Sequence, residues 1–156
     1  MIADFDMRAL IVGLEPKLIV ELGTGDGATA ARMMSVLPIG AKLVTINWPN
    51  PPSGDNPMRY LGRWVSDDRL RIVFGDTRDY AWMFTDRSID LLHIDSTHTC
   101  DCASAELAEY KPKLRNRATV VVDDLDHNDM MEFWNKLPYT KIVSRSGSLG
   151  VFKYES

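Results

Sequence analysis

The sequence has no apolar run approaching the roughly 20 residues that cross a bilayer, so no membrane partner is expected. It also lacks an excess of positive charge: 18 Lys and Arg stand against 22 Asp and Glu, a formal net charge of −4. That removes general attraction for nucleic acid. Cysteine is scarce. Cys100 and Cys102 are separated by one residue, too tight for an ordinary structural disulfide, and no second pair exists to build a zinc site. Two reduced thiols predict an intracellular, cytoplasmic protein. The opening MIADFDMRAL has acids early and no long apolar core, which argues against a signal peptide. Internal repeats, low-complexity tracts and linkers are missing too, so residues 1–156 read as a single domain, long enough for a proper core. With 45% hydrophobic residues the chain reads as globular.

What is there is a repeated alternation. Short apolar runs at Leu18–Glu21, Lys42–Ile46, Leu70–Phe74, Asp90–Ile94 and Thr119–Asp123 have the length and continuity of parallel strands buried on both faces. Between and after them Ala28–Leu37, Pro57–Val65, Arg78–Met83, Cys102–Lys113 and Asn128–Lys136 read as helices, and Phe5–Leu14 as a leading helix. Strand alternating with helix predicts an α/β fold, a Rossmann-like, mostly parallel sheet with helices on both faces. At the end KIVS and LGVFKY flank Arg145-Ser-Gly-Ser148, a hairpin that makes the last strand antiparallel. The irregular Asn47–Asn56 loop, with three prolines, follows the second strand. It should border the ligand site, because ligands of open α/β sheets bind beyond the carboxyl ends of the strands.

The first strand runs into Glu21-Leu-Gly-Thr-Gly-Asp-Gly-Ala28. Glycines at such a turn allow unusual backbone angles and let a ligand approach the main chain. Read from Gly23, the stretch fits G-x-G-x-x-A of a dinucleotide loop; read from Glu21, it fits E-x-G-x-G-x-G of an S-adenosylmethionine loop. An acid before the glycines would repel a pyrophosphate, whereas S-adenosylmethionine carries a sulfonium and an amino group, both positive. Glu21, Asp26 and the spacing of Gly27 therefore lean toward the second ligand, with Gly23, Thr24 and Gly25 completing the loop that would hold it. The second strand ends in Asn47, where a ribose-binding acid is expected; its amide can still bond a hydroxyl, without charge assistance. Trp48 could stack on adenine. After the third strand, Asp76 either accepts from the adenine amino group or, like Thr77, caps the next helix.

Three aspartates gather on two strand ends: Asp95 on the fourth, Asp123 and Asp124 on the fifth. If those strands are neighbours, their ends lie roughly 5 Å apart, and mutual repulsion calls for a divalent cation. All-oxygen ligation suits Mg²⁺ first, then Ca²⁺ or Mn²⁺; alternatively Asp124 or Asp126 caps the helix near Asn128. His98, three residues after Asp95, is the candidate general base, with His127 a second. His93, inside a strand, reads as a satisfied core residue.

Together the motifs E-L-G-T-G-D-G, T-I-N-W, G-D-T, I-D-L-L-H-I-D-S-T-H, L-A-E-Y-K-P-K-L and V-V-V-D-D resemble class I S-adenosylmethionine-dependent methyltransferases over about Lys17 to Tyr154. The likeness is to the small cephalosporin-hydroxylase-like or sugar O-methyltransferase branch, and more distantly to catechol O-methyltransferases. It implies a seven-stranded sheet and an O-methyltransferase that is metal-dependent and acts on a small-molecule or sugar hydroxyl. It also implies metal ligands at Asp95, Asp123 and Asp124, a donor site that includes Asp95, and a catalytic base at His98 as in catechol-type members. The acid that some sugar methyltransferases carry two residues after the first ligand is Thr97 here, and the usual Gly-Gly before the fifth strand is Asn116-Arg117. Insertions that close over substrate in many relatives are absent, which leaves room for a second copy, a homo-oligomer, to complete the site. Two other readings stand beside this one: a catalytically silent ligand-binding or assembly module, and a dinucleotide- or iron-dependent oxidoreductase or hydroxylase.

Overall fold

Each apolar run of the sequence forms a strand in the computed structural model, which describes residues 6–50 and 53–156. Helix α1 (Met7–Leu14) starts at Asp6, whose side chain accepts from the Arg8 N–H; Phe5, expected to open this helix, lies outside the described residues. Strand β1 (Leu18–Leu22) leads through the glycine turn into α2 (Ala28–Val36), then β2 (Lys42–Asn47). Helix α3 (Met58–Leu61) is one turn that tightens into a 3₁₀ turn at Gly62–Trp64, and β3 (Leu70–Phe74) follows. Next come β4 (Ile89–Ile94), α4 (Cys100–Tyr110), β5 (Leu114–Val122), α5 (Met130–Lys136), β6 (Lys141–Val143) and β7 (Gly150–Lys153).

Among the boundaries that differ from expectation, three have clear local reasons. Thr77–Met83 is a 3₁₀ segment rather than an α-helix. Asp76 caps its start, and the Tyr80 hydroxyl turns back to the Phe74 carbonyl (2.9 Å), which holds the chain in the tighter winding. Helix α4 begins two residues early because the Thr99 hydroxyl accepts from the Cys102 N–H; it stops at Tyr110, where Pro112 lacks the N–H to continue. Strand β5 begins five residues early. Its polar Arg115-Asn-Arg117 stretch carries no apolar signal, yet Leu114 pairs with Ile89 across a register shift, and Arg117 there has φ 66°. The cap of α5 is Asp129, not Asp124 or Asp126.

The seven strands lie in the order β3-β2-β1-β4-β5-β7-β6. Strands β1 to β5 are mutually parallel, and β7 inserts antiparallel between β5 and β6, so the hairpin and the mixed sheet are as the sequence implies. Alternating strand residues feed two cores. Ile19, Leu43, Leu91 and Val121 pack with Ile11, Met33 and Leu61 on one face. Val20, Leu22, Leu92 and Val120 pack with Leu107, Tyr110, Phe133 and Trp134 on the other. The chain order reverses between β1 and β4, which are side by side, and the crevice opens beyond their carboxyl ends. Among the described residues no helix is long and apolar enough to cross a membrane.

Candidate functional site

The glycine turn is built from residues with different duties. Gly23 (φ 97°) lies so close to β4 that a Cβ there would sit 1.9 Å from the Asp95 carbonyl oxygen. Its N–H donates to the Ile46 carbonyl (2.9 Å), while the Asp95 N–H donates to Leu22 (2.8 Å), so three strand tips are tied together. Gly25 (φ 54°) is the opposite case: among the described residues nothing lies within 4 Å of where its Cβ would be, and it lines the cleft with bare main chain. Gly27 caps α2, and the Asp26 carboxylate accepts from the Ala28 N–H (3.1 Å), which keeps Asp26 at the helix start and out of the cleft wall.

A cleft of about 740 Å³ lies over the tips of β1 to β4. It is walled by Gly23, Gly25, Asn47, Trp48, Gly75, Asp76, Thr77, Asp95 and His98, joined by Arg78, Ser96, Thr97 and Cys102. Ser53 and Asp55 bring the proline-rich loop to its rim; Pro51 and Pro52 fall outside the described residues. Trp48 stands half exposed in the wall. Asn47 is buried: its Oδ1 accepts from the Gly25 N–H (3.3 Å), and its Nδ2 has no protein partner among the described residues. Of the two readings of Asp76, capping is the one the side chain performs. It accepts from the Arg78 N–H (3.0 Å) and grips the Arg78 guanidinium (2.9 and 2.5 Å), which holds its carboxyl below the usual range. Thr77 donates its hydroxyl to the buried Glu106, whose carboxyl burial pushes up.

Glu21 departs from expectation. It does not face the cleft as a partner for a cationic ligand but is fully buried beneath the glycine turn. Parallel register sets Thr45, Glu21 and His93 side by side on β2, β1 and β4. Thr24 donates to Thr45 Oγ1 (2.6 Å), Thr45 donates to Glu21 Oε2 (2.5 Å), and His93 Nδ1 lies 3.3 Å from Glu21 Oε1. Thr24, expected in the ligand site, is thus a strut under the loop. His93 is buried as expected but is only half satisfied: Nε2 has no hydrogen-bond partner among the described residues and lies 3.9 Å from Asp123 Oδ2. Burial opposes charge on the ring, but the Glu21 contact and the charges of Asp95 and Asp123 outweigh it and bring the His93 pKa up to about 9. The sequence reading missed this row because its members are hydrophilic residues on three separate strands, visible together only once register is known.

Parallel pairing of β4 with β5 gathers the aspartates. The ligand atoms of Asp95, His98 and Asp124 lie within 4.8 Å of one another, as do those of His93, Asp95 and Asp123. His98 Nε2 reaches Asp95 Oδ1 (3.1 Å) and Asp124 Oδ2 (3.3 Å). The Asp95 hydrogen bond, then the charges of Asp95, Asp124 and Asp123, outweigh partial burial and raise the His98 pKa. Asp123 is pushed up by burial and by the Asp95 charge, while the Asp124 N–H donates to its Oδ1 (2.9 Å). The two clusters share Asp95: Asp123 and the buried His93, whose Nε2 has no partner among the described residues, lie on one side, and His98 with Asp124 on the other. Carboxylate oxygens beside an imidazole nitrogen are a donor set that a divalent cation can take. His127 is mostly exposed, 3.5 Å from Asp124 Oδ1 and 3.4 Å from Asp126. The two loops are also fastened: Asn128 Nδ2 donates to the His98 carbonyl (2.9 Å), and the Cys100 N–H donates to Asp129 Oδ1 (2.7 Å).

A methyltransferase-domain family model matches residues 20–125. No curated protein matches the sequence. Among solved structures, the fold is similar to that of a candidate caffeoyl-CoA O-methyltransferase from Staphylococcus aureus: TM-score 0.76, 18% identity, with 96% of this chain and 81% of that one covered. It is also similar to the O-methyltransferase TomG from Streptomyces achromogenes, solved with S-adenosylmethionine: TM-score 0.74, 20% identity, 96% and 78% covered. A Bacillus cereus O-methyltransferase solved with S-adenosylhomocysteine gives a TM-score of 0.72 at 15% identity, with 94% and 78% covered.

Proposed function

The chain belongs to the methyltransferase-domain family, and on that premise we propose that it transfers a methyl group from S-adenosylmethionine to the hydroxyl of a small molecule or sugar. One observation carries this reading. The bare main chain at Gly25 lines the same cleft as Asp95 and His98, which cluster with Asp124, at the strand-order reversal. That two structural relatives were solved with S-adenosylmethionine or S-adenosylhomocysteine supports the choice of donor.

When bound, the donor would supply an electrophilic methyl group on a sulfonium, and a divalent cation, which Asp95, Asp123 and Asp124 would hold, would supply positive charge that lowers the acceptor hydroxyl's pKa. The chain's own residues do the rest. Gly25 admits the donor to the main chain, Asn47 steadies that turn through the Gly25 N–H, and Trp48 offers a flat face for the adenine. Asp95 and Asp124 engage His98 at Nε2, so Nδ1 carries the lone pair that takes the acceptor proton. Holding acceptor and methyl group in line provides the remaining acceleration.

Calorimetric titration with S-adenosylhomocysteine, with and without Mg²⁺ or Mn²⁺, tests the reading. Micromolar binding is expected, and no binding up to millimolar ligand sinks it. A second reading rests on Asn47 and Asp76, whose acceptor oxygens are already engaged by Gly25 and Arg78. It is a ligand-binding module without turnover. Donor binding with no methylation of any hydroxyl acceptor that copurifies would favour it.

A further inference from the structure

His93 occupies β4 two residues before Asp95, on the same face of the sheet, and is fully buried. Its two ring nitrogens are in unequal situations. Nδ1 faces Glu21 Oε1 at 3.3 Å, and a hydrogen on Nδ1 donates to that carboxylate oxygen. Nε2 has no partner among the described residues. Asp123 Oδ2 stands 3.9 Å away, too far for a hydrogen bond. A buried nitrogen left in this way costs stability unless something else engages it.

The surroundings say what that is. A ring nitrogen of His93 shares a 4.8 Å cluster with a carboxylate oxygen from each of Asp95 and Asp123, and Nε2 is the nitrogen on the Asp123 side. Bonds of about 2.0–2.2 Å put two ligand atoms on one ion about 3 to 4 Å apart, and the 3.9 Å gap between Nε2 and Asp123 Oδ2 falls in that range. Histidines that bind metal through one nitrogen commonly donate the other N–H to a carboxylate, which fixes the tautomer and orients the ring. Glu21 does this, and its own second oxygen is held by the Thr45 hydroxyl, itself held by Thr24. The arrangement also accounts for a carboxylate buried under the glycine turn.

We propose that His93 Nε2 is a ligand of the divalent ion held by Asp95 and Asp123, with Glu21 as its orienting partner, and that the site therefore binds first-row transition ions more tightly than Mg²⁺ or Ca²⁺. On binding, the ion takes the position that a second ring proton would otherwise occupy. Nitrogen in the donor set is what shifts the preference, because imidazole suits Fe²⁺, Ni²⁺ and Zn²⁺ while an all-oxygen set suits Mg²⁺ and Ca²⁺; Mn²⁺, the weakest binder of the transition series, serves as the spectroscopic probe. The inference rests on the metal part of the function proposed above and adds a ligand to it.

Pulsed electron paramagnetic resonance of the full chain loaded with Mn²⁺ tests it without recourse to activity. The expected spectrum shows ¹⁴N coupling from a coordinated imidazole in the wild type and in His98→Gln, and none in His93→Gln, with at least tenfold weaker Mn²⁺ binding in the last. Glu21→Gln is expected to weaken Mn²⁺ binding by about 10- to 100-fold. Bound Mn²⁺ without ¹⁴N coupling in the wild type overturns the inference and leaves an oxygen-ligated metal enzyme standing. Coupling that survives in His93→Gln and vanishes in His98→Gln overturns it in favour of His98. Failure to bind Mn²⁺ at millimolar concentration overturns both this inference and the metal part of the proposed function, while donor titration still reads the remainder. If His93→Gln does not fold, the wild-type and His98→Gln spectra decide.

Discussion

Replacing Gly23 and Gly25 separately by alanine should split a stability defect from a binding defect within three residues. At Gly23 a Cβ would fall 1.9 Å from the Asp95 oxygen, 2.5 Å from its carbonyl carbon and 2.9 Å from Ser96 Cα, all backbone atoms that cannot swing aside. Relief requires parting the tips of β1 and β4, which pair along Ile19–Leu22. Overpacking of this kind costs roughly 1–3 kcal/mol, and a non-glycine residue forced to φ 97° adds a further 1–3 or so. The sum of about 2–6 kcal/mol corresponds to a fall in Tm of roughly 5–20 °C for a chain of this size. At Gly25 nothing among the described residues lies within 4 Å and φ is 54°, inside the left-handed region that other residues do visit, so Gly25→Ala should cost about 1–2 kcal/mol. Its methyl group would instead project where the main chain lines the cleft. Urea unfolding and calorimetric titration with S-adenosylhomocysteine read the two effects. Gly23→Ala should lower the unfolding midpoint severely, and Gly25→Ala should keep most of it while weakening binding at least tenfold. Equal midpoints for the two variants, or undiminished binding by Gly25→Ala, would refute the division of duties.

Three further outcomes are expected. His98→Ala should lower turnover by about 10²–10⁴ while leaving S-adenosylhomocysteine affinity unchanged; full turnover would remove His98 as the base. Thr45→Val removes a buried hydroxyl that serves Glu21 and Thr24, and should cost roughly 1–3 kcal/mol in denaturant unfolding; no loss would mean the row is not coupled as drawn. Glu106 has its native carboxyl raised by burial above 4.5, so the folded state holds a proton that the unfolded chain releases. The stability it contributes is whole below pH 4.5 and is lost as pH rises toward the native value. Glu106→Gln should therefore lose less stability than wild type between pH 5 and pH 8, and parallel curves would contradict this.

Much of the sheet could be read from the sequence because KLVTI, LRIVF and TVVV are continuous and apolar, the signature of strands covered on both faces. The start of β5 could not, since Arg115-Asn-Arg117 is polar and joins the ladder only through Leu114 opposite Ile89. The site divides in the same way. Asp95, His98 and Asp124 stand at strand ends and meet because the tips of adjacent strands meet. Glu21 and Thr24 read as ligand-facing because the motif places them at the turn, yet a one-dimensional pattern does not say which side of a strand faces the cleft. Register does: Glu21 pairs with Thr45 and His93, and all three turn inward. His93 looked like core for the same reason. Its distinguishing feature, a nitrogen without a partner, exists only in three dimensions.

The two hydrogen bonds that join the loops after β4 and β5, from Asn128 to the His98 carbonyl and from the Cys100 amide to Asp129, have a dynamic consequence. Either loop can lift away only by breaking both, so the base and the carboxylates opposite it share one opening equilibrium. The Cys100 amide, donated across the gap, reports on that equilibrium: its hydrogen exchange should slow in step with amides of the Asp124–Asp129 segment when a ligand fills the cleft.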